Sequence, residues 1–183
     1  MNRSFSIRVQ AELSFAIALA AVLSLFKLRL PHLLYGGSVS LESVPLFVVA
    51  FRHGPGAGGM AGLAYGVVHF AMSPYFVHPI QLALDYPLAY ATVGIAALAA
   101  SGRVTEDGFG WPRLAVAILV AEAIRLGLHF LSGVVYFGHL APEGMEVWRY
   151  SLGYNASYLI PEAALDILLV PMVLRRLPHP AGA

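Results

Sequence analysis

Apolar runs of helix length, joined by short connections rich in Gly, Pro and aromatic residues, occupy almost the whole chain. They cover residues 9–26, 41–51, 54–72, 80–100, 113–136 and about 152–174. A membrane-crossing helix needs about 20 predominantly apolar residues. Six such spans use nearly all of the 183 residues and leave no sizeable soluble domain. Charge points the same way: 11% of residues are charged and the mean hydropathy is +0.73, against about 25% charged residues in a soluble domain. The expected fold is all-α, an integral membrane bundle of six transmembrane helices forming one domain over residues 1–183.

The formal net charge of +1 makes no case for a nucleic-acid partner, and the absence of Cys excludes disulfides and thiol chemistry. The apolar run after Arg3 and Arg8 has the look of a secretory signal. Lys27 and Arg29 follow it directly and more spans come after, so it is expected to be a retained helix. Its residues Ala11, Ser14, Ala18 and Ala21 form a small-residue face of the kind that lets helices approach closely in lipid. From periodicity alone, internal packing is the favoured reading of that face. Residues 41–51 are too short to span; either the helix begins earlier or it is a half-span covered by neighbours, and Pro45 is expected to kink it.

Gly54, Gly58, Gly62 and Gly66 recur every four residues, a stripe for close helix contact. The same stretch matches GxGxxG at Gly54, Gly56 and Gly59, but no strand precedes it and no acidic residue follows at the dinucleotide-site spacing. Met60 and Ala61 stand where a phosphate loop needs Lys and Ser or Thr, so the chain has no ATP site of its own. Pro161 and Pro171 are expected to bend the last span. No internal repeat is visible, which counts against an inverted-repeat carrier. Arg3, Arg8, Arg52, Arg103, Arg113, Arg175 and Arg176 fall on one side of a six-span topology, with Lys27, Arg29 and Arg149 on the other. The majority side is cytoplasmic. Both termini are therefore expected inside, and the connections at 27–40, 73–79 and 137–151 outside.

Polar groups on apolar helices are costly in a membrane and mark function. Glu122, Arg125, His129 and Gly133 lie three or four residues apart and share one helix face; Asn155, Glu162 and Asp166 make a second such stripe. Together they read as one wall of an outward-facing pocket. Asp85, near the outer end of its span, suits a cationic ligand, caps its helix, or pairs with Arg125. The alternative reading of Arg125 is a same-helix pair with Glu122, three residues back. His129 satisfies a core hydrogen bond or contacts a ligand. Tyr75, Tyr86, Phe137, Trp148, Tyr150, Tyr154 and Tyr158 crowd the outer ends, either as an interfacial belt or as surfaces for a flat ring or a cation. Asn155 offers an amide to a heteroaromatic edge. One carboxylate, one His, one Asn and several aromatics fit a small, planar, cationic ligand. No metal site or cofactor is expected.

Several motifs carry a resemblance to a known family: Gly36-Gly37-Ser38-Val39-Ser40, His78-Pro79-Ile80-Gln81-Leu82, Leu84-Asp85-Tyr86, His129-Phe130-Leu131-Ser132-Gly133, Ala141-Pro142-Glu143-Gly144 and Tyr150-Ser151-Leu152-Gly153-Tyr154-Asn155. In combination and order they resemble the thiamine-binding S component of energy-coupling factor vitamin transporters. The resemblance implies six membrane helices in a prokaryotic plasma membrane and high-affinity capture of thiamine from outside. It also implies partnership with a membrane coupling protein and two ATPase subunits, and no catalysis. It places Asp85 near the thiamine cation, with Tyr75, Tyr86, His129, Tyr150 and Asn155 at ligand-contacting positions and Gly133 where a ring approaches closely. Phe137 stands where a stacking Trp can occur, and Asp85 is one methylene shorter than the Glu also found there. Ser14 and Ala18 match the small pair that docks on the coupling protein. The competing class is a stand-alone proton- or cation-coupled carrier relaying through Asp85, Glu122, His129, Glu162 and Asp166. An intramembrane enzyme is disfavoured, since neither HExxH nor GxSxG is present.

Overall fold

A computed structural model describes residues 5–33, 36–100 and 110–178. Arg3 and Arg103 of the charge count lie outside the described residues. The helices are α1 (Ile7–Leu23), α2 (Ser43–His53), α3 (Pro55–Met72), α4 (Pro79–Asp85), α5 (Pro87–Ala91), α6 (Val93–Ala99), α7 (Trp111–Tyr136) and α8 (Val147–Leu174). Helices α4 to α6 follow one another along a single rod, Pro79–Ala99, so the described residues form six rods. That rod, α7 and α8 are long and apolar enough to cross a membrane by length and composition. No strand occurs among the described residues beyond an isolated bridge between Leu28 and Val39.

Helix α2 is the axis of the bundle. All eleven of its residues are buried, because α1, α3, α6 and α8 surround it. This is the half-span covered by neighbours, and a helix apolar on every side belongs in such a place. Pro45 does not kink it. It lies in the first turn, where the missing N–H has no partner to lose. Gly54, at φ +90°, turns the chain sharply out of α2 and into Pro55 at the start of α3, a backbone region open to Gly.

The glycine stripe on α3 packs as its spacing suggests. A Cβ on Gly58 would overlap Ala50, one on Gly62 the Tyr90 carbonyl, and one on Gly66 the backbone at Tyr86 and Pro87. The span expected at 80–100 is broken at Tyr86 (φ −119°, ψ −86°) and again at Thr92. Pro87 disfavours helical geometry in the residue before it, and Thr92 Oγ1 donates to the Ala89 carbonyl at 2.7 Å. Helix α8 continues through both Pro161 and Pro171.

Outward faces are apolar, with Phe15, Val67, Val116, Leu119, Ile160 and Leu168 exposed, while Glu122, Arg125, Glu162 and Asp166 are buried. This inverted distribution suits lipid surroundings. At one end of the bundle Glu12 meets Arg52 at 3.1 Å, His53 at 2.8 Å and Arg8 at 3.5 Å. Arg52 also donates to the Pro178 carbonyl at 2.7 Å, so the start of α1, the end of α2 and the exit from α8 share that end. Arg8, Arg52 and Arg175, grouped on one side by the charge count, lie with the ends of these helices.

Candidate functional site

A cavity of about 490 Å³ opens at the opposite end, where the connections after α1, α3 and α7 converge on α4, α5, α7 and α8. Its size falls within the roughly 300–1,000 Å³ of small-molecule sites. Tyr75, Asp85, Tyr86, His129, Gly133, Phe137, Tyr150 and Asn155 all line it, so every ligand-contacting candidate from the sequence arrives at one place.

Asp85 ends α4, and the helical spacing of the sequence places Gln81 one turn before it. Gln81 Nε2 donates to Asp85 Oδ2 at 2.8 Å, Ser132 Oγ donates to the same oxygen at 2.8 Å, and His129 Nδ1 lies 3.2 Å from Oδ1. Gln81 is itself fixed, accepting from Val77 N at 3.0 Å and donating to the Tyr75 carbonyl at 3.2 Å. The reading of Asp85 as a partner of Arg125 is overturned. Among the described residues no Lys or Arg pairs with Asp85. It is a carboxylate oriented by neutral donors and one imidazole at the wall of a cavity, an arrangement that favours a cation or an N–H donor there.

Tyr75 and Phe137 pack against each other in the cavity wall, with ring centroids 5.6 Å apart at 39°. The Tyr86 hydroxyl accepts from Tyr75 N at 3.0 Å and donates to the Ser73 carbonyl at 3.1 Å. Tyr86 therefore braces the α3–α4 connection as well as lining the wall. Asn155 is already engaged: its Nδ2 donates to the Ser151 carbonyl at 2.9 Å and to the His129 carbonyl at 3.3 Å, and its Oδ1 accepts from Tyr158 at 2.9 Å. A Cβ on Gly133 would overlap Ser151 Oγ, so the close approach this Gly permits is that of α8.

The floor is an ionic layer. Arg125 Nη1 stands 3.2 Å from Glu162 Oε2 and 3.5 Å from Glu122 Oε1, and the guanidinium lies 4.7 Å over the Tyr90 ring. The same-helix pair with Glu122 is thus present, shared with α8. Glu162 Oε1 accepts from Ser40 N at 3.0 Å and Ser40 Oγ at 3.1 Å, Ser43 donates to Asp166 at 2.9 Å, and Tyr65 donates to Glu42 at 2.8 Å. No hydrogen bond among the described residues joins this layer to the Asp85–His129 pair, so the five residues of the carrier relay fall into two groups. Sequence reasoning did not single out Ser132, Glu42, His69 or Tyr90, which all line the cavity. Ser132, one turn from His129, had a spacing signal; Glu42 and His69 are polar groups within apolar runs; Tyr90 had neither, and tertiary packing brings all of them to one cavity.

Ser14 and Ala18 are exposed on α1, as is Ala11, while Leu13, Ala16 and Ala20 are buried. Internal packing is therefore overturned for Ala11, Ser14 and Ala18, while Ala21, the fourth residue of that face, is half-buried and packs against the core.

The model of the family described as "Thiamine transporter protein" matches residues 10–180. A thiamine transporter ThiT from Bacillus subtilis (strain 168) is 34% identical over 185 residues, covering 98% of this chain and 96% of the relative. A second ThiT, from Lacticaseibacillus paracasei, is 26% identical over 177 residues, covering 88% of this chain and 86% of the relative. Among solved structures, a ThiT from Listeria monocytogenes superposes with a TM-score of 0.76 at 23% identity, covering 94% of this chain and 96% of that one. An S component of a bacterial ECF transporter gives 0.63 at 19% identity over 92% and 94% of the two chains. FolT bound with folic acid gives 0.65 at 17% identity over 94% and 96%.

Proposed function

The chain belongs to the thiamine transporter protein family, and on that premise we propose that it captures thiamine in the cavity beside Asp85 and passes it inward while docked on a separate ATP-driven module. Membership in a transporter family gives the chain a transport role rather than a catalytic one. The ligand assignment rests on the family and on cavity chemistry, not on the fold, since a similar bundle holds folic acid in another protein. The observation that carries it is Asp85, a carboxylate lining the cavity that, among the described residues, is met by the His129 imidazole but by no Lys or Arg. Thiamine brings a fixed positive charge on its thiazolium ring and N–H donors on its aminopyrimidine, and either satisfies that carboxylate.

In this reading Tyr75 and Phe137 stack on a ring of the ligand, and His129 and Tyr150 contact its polar edge. Tyr86, Gly133 and Asn155 keep the wall and the α7–α8 seam in shape while touching the ligand from the side. The energising partners are a membrane coupling protein and two ATPase subunits, with Ser14 and Ala18 at the contact. Their exposure on α1 and the similarity to an ECF S component support this.

Calorimetric titration of the purified chain with thiamine is expected to give one site per chain. Absence of heat with thiamine, with binding of another vitamin, overturns the assignment. Vesicles holding the chain alone are expected to bind thiamine without accumulating it; accumulation favours the stand-alone carrier.

A further inference from the structure

The mouth of the cavity carries two charges that a receptor for a bare cation does not need. Lys27 and Arg29 both line it. Between them, Leu28 N donates to the Val39 carbonyl at 2.8 Å and Val39 N to the Leu28 carbonyl at 2.9 Å. Side chains alternate along such an extended segment. Leu28 is 64% exposed on the outer side, so Lys27 and Arg29 share the side that faces the cavity. The segment is held in place: Tyr154 donates to the Gly36 carbonyl at 2.8 Å and His32 Nε2 lies 2.8 Å from Ser157 Oγ. Among the described residues, every ion pair made by a Lys or Arg uses Arg8, Arg52 or Arg125, and none uses Lys27 or Arg29.

The cavity is therefore negative at Asp85 and positive at its mouth. A ligand that is only a cation is attracted by the first and repelled by the second. A ligand whose far end is an anion is complementary to both. We propose that Lys27 and Arg29 form a subsite for a phosphate ester on the hydroxyethyl end of thiamine, and that they set the preference between phosphorylated and unphosphorylated ligand. This rests on the reading of the cavity as a thiamine site. A phosphate monoester carries about −1.5 to −2 charges near neutral pH. Arg matches it with a planar fork and Lys with a point charge.

The test measures dissociation constants of thiamine and thiamine monophosphate for the full chain in maltoside micelles, with wild type, Lys27→Gln, Arg29→Gln and the double variant. The readout is the ratio of the two constants, which a merely structural role leaves alone because it shifts both ligands together. The double variant is expected to raise the monophosphate-to-thiamine ratio about ten- to hundredfold. Arg29→Lys is expected to restore part of the preference that Arg29→Gln loses. An unchanged ratio, or equal loss for both ligands, overturns the subsite. Lipid phosphate is the other source of the same chemistry, so the wild type is repeated in vesicles containing phosphatidylglycerol. If the ratio there rises to that of the double variant, the two cations hold headgroups and the assignment to the ligand is overturned. Failure of the wild type to bind thiamine at all overturns the thiamine reading itself and is recognisable separately.

Discussion

Asp85→Asn keeps the shape of the side chain and removes its charge. Hydrogen bonds to charged groups are worth about 1.5–3 kcal/mol, so thiamine affinity is expected to fall about ten- to hundredfold. The amide also disturbs the Gln81 and Ser132 donors that now converge on Oδ2. The thermal midpoint of the ligand-free variant is therefore measured alongside the dissociation constant, and unchanged affinity with a lowered midpoint removes Asp85 from the site. At this scale the residue types were legible in the sequence and their pairings were only half so. Glu122 and Arg125 are three apart on one helix and meet as that spacing suggests. Glu162 joins them from α8 and Asp85 does not, because which helix comes within reach of a guanidinium is settled by packing.

The glycines of α3 separate contact from mere flexibility. A Cβ on Gly62 would overlap the Tyr90 carbonyl, while one on Gly59 meets nothing within 4 Å. Gly62→Ala forces α3 and α5 apart and is expected to cost about 1–3 kcal/mol, the range for overpacked sites. Gly59→Ala is expected to be neutral or stabilising by up to about 1 kcal/mol, the helix preference of Ala over Gly. Thermal unfolding of both variants in detergent checks the pair; equal effects show that the stripe makes no contact. Pro55, Pro79, Pro87 and Pro112 each stand in the first two positions of a helix. Pro87 was legible as a residue but not as an interruption of its span, since apolar composition continues unbroken through Tyr86 and Thr92.

The molecule presents two ends and one exposed small-residue face. Replacing Ser14 or Ala18 by Trp is expected to leave thiamine binding by the isolated chain intact and to abolish uptake in cells carrying the energising module. A bulky side chain keeps a partner helix at a distance, and neither position lies in the core of the bundle. Normal uptake with both variants refutes docking through this face.

Hydrophobic patterning by itself determined the membrane environment, the number of rods, the outward end and the two polar stripes, since those depend on run length, periodicity and the placement of Lys and Arg. The resemblance to a known family named in advance eight of the residues that line the cavity. Only the tertiary structure decided that α2 is a buried axis, that Ser14 and Ala18 face outward while Ala16 and Ala20 face in, and that Asn155 and Gly133 serve the α7–α8 seam. It alone placed Glu42, His69 and Tyr90 around the floor, and Lys27 and Arg29 in the cavity lining outside every ion pair among the described residues. The reason is physical: a one-dimensional pattern says which face of a helix avoids lipid, but not which neighbour covers that face. Contacts over a few ångströms between residues more than a hundred positions apart, such as Ser43 with Asp166, exist only once the helices have packed.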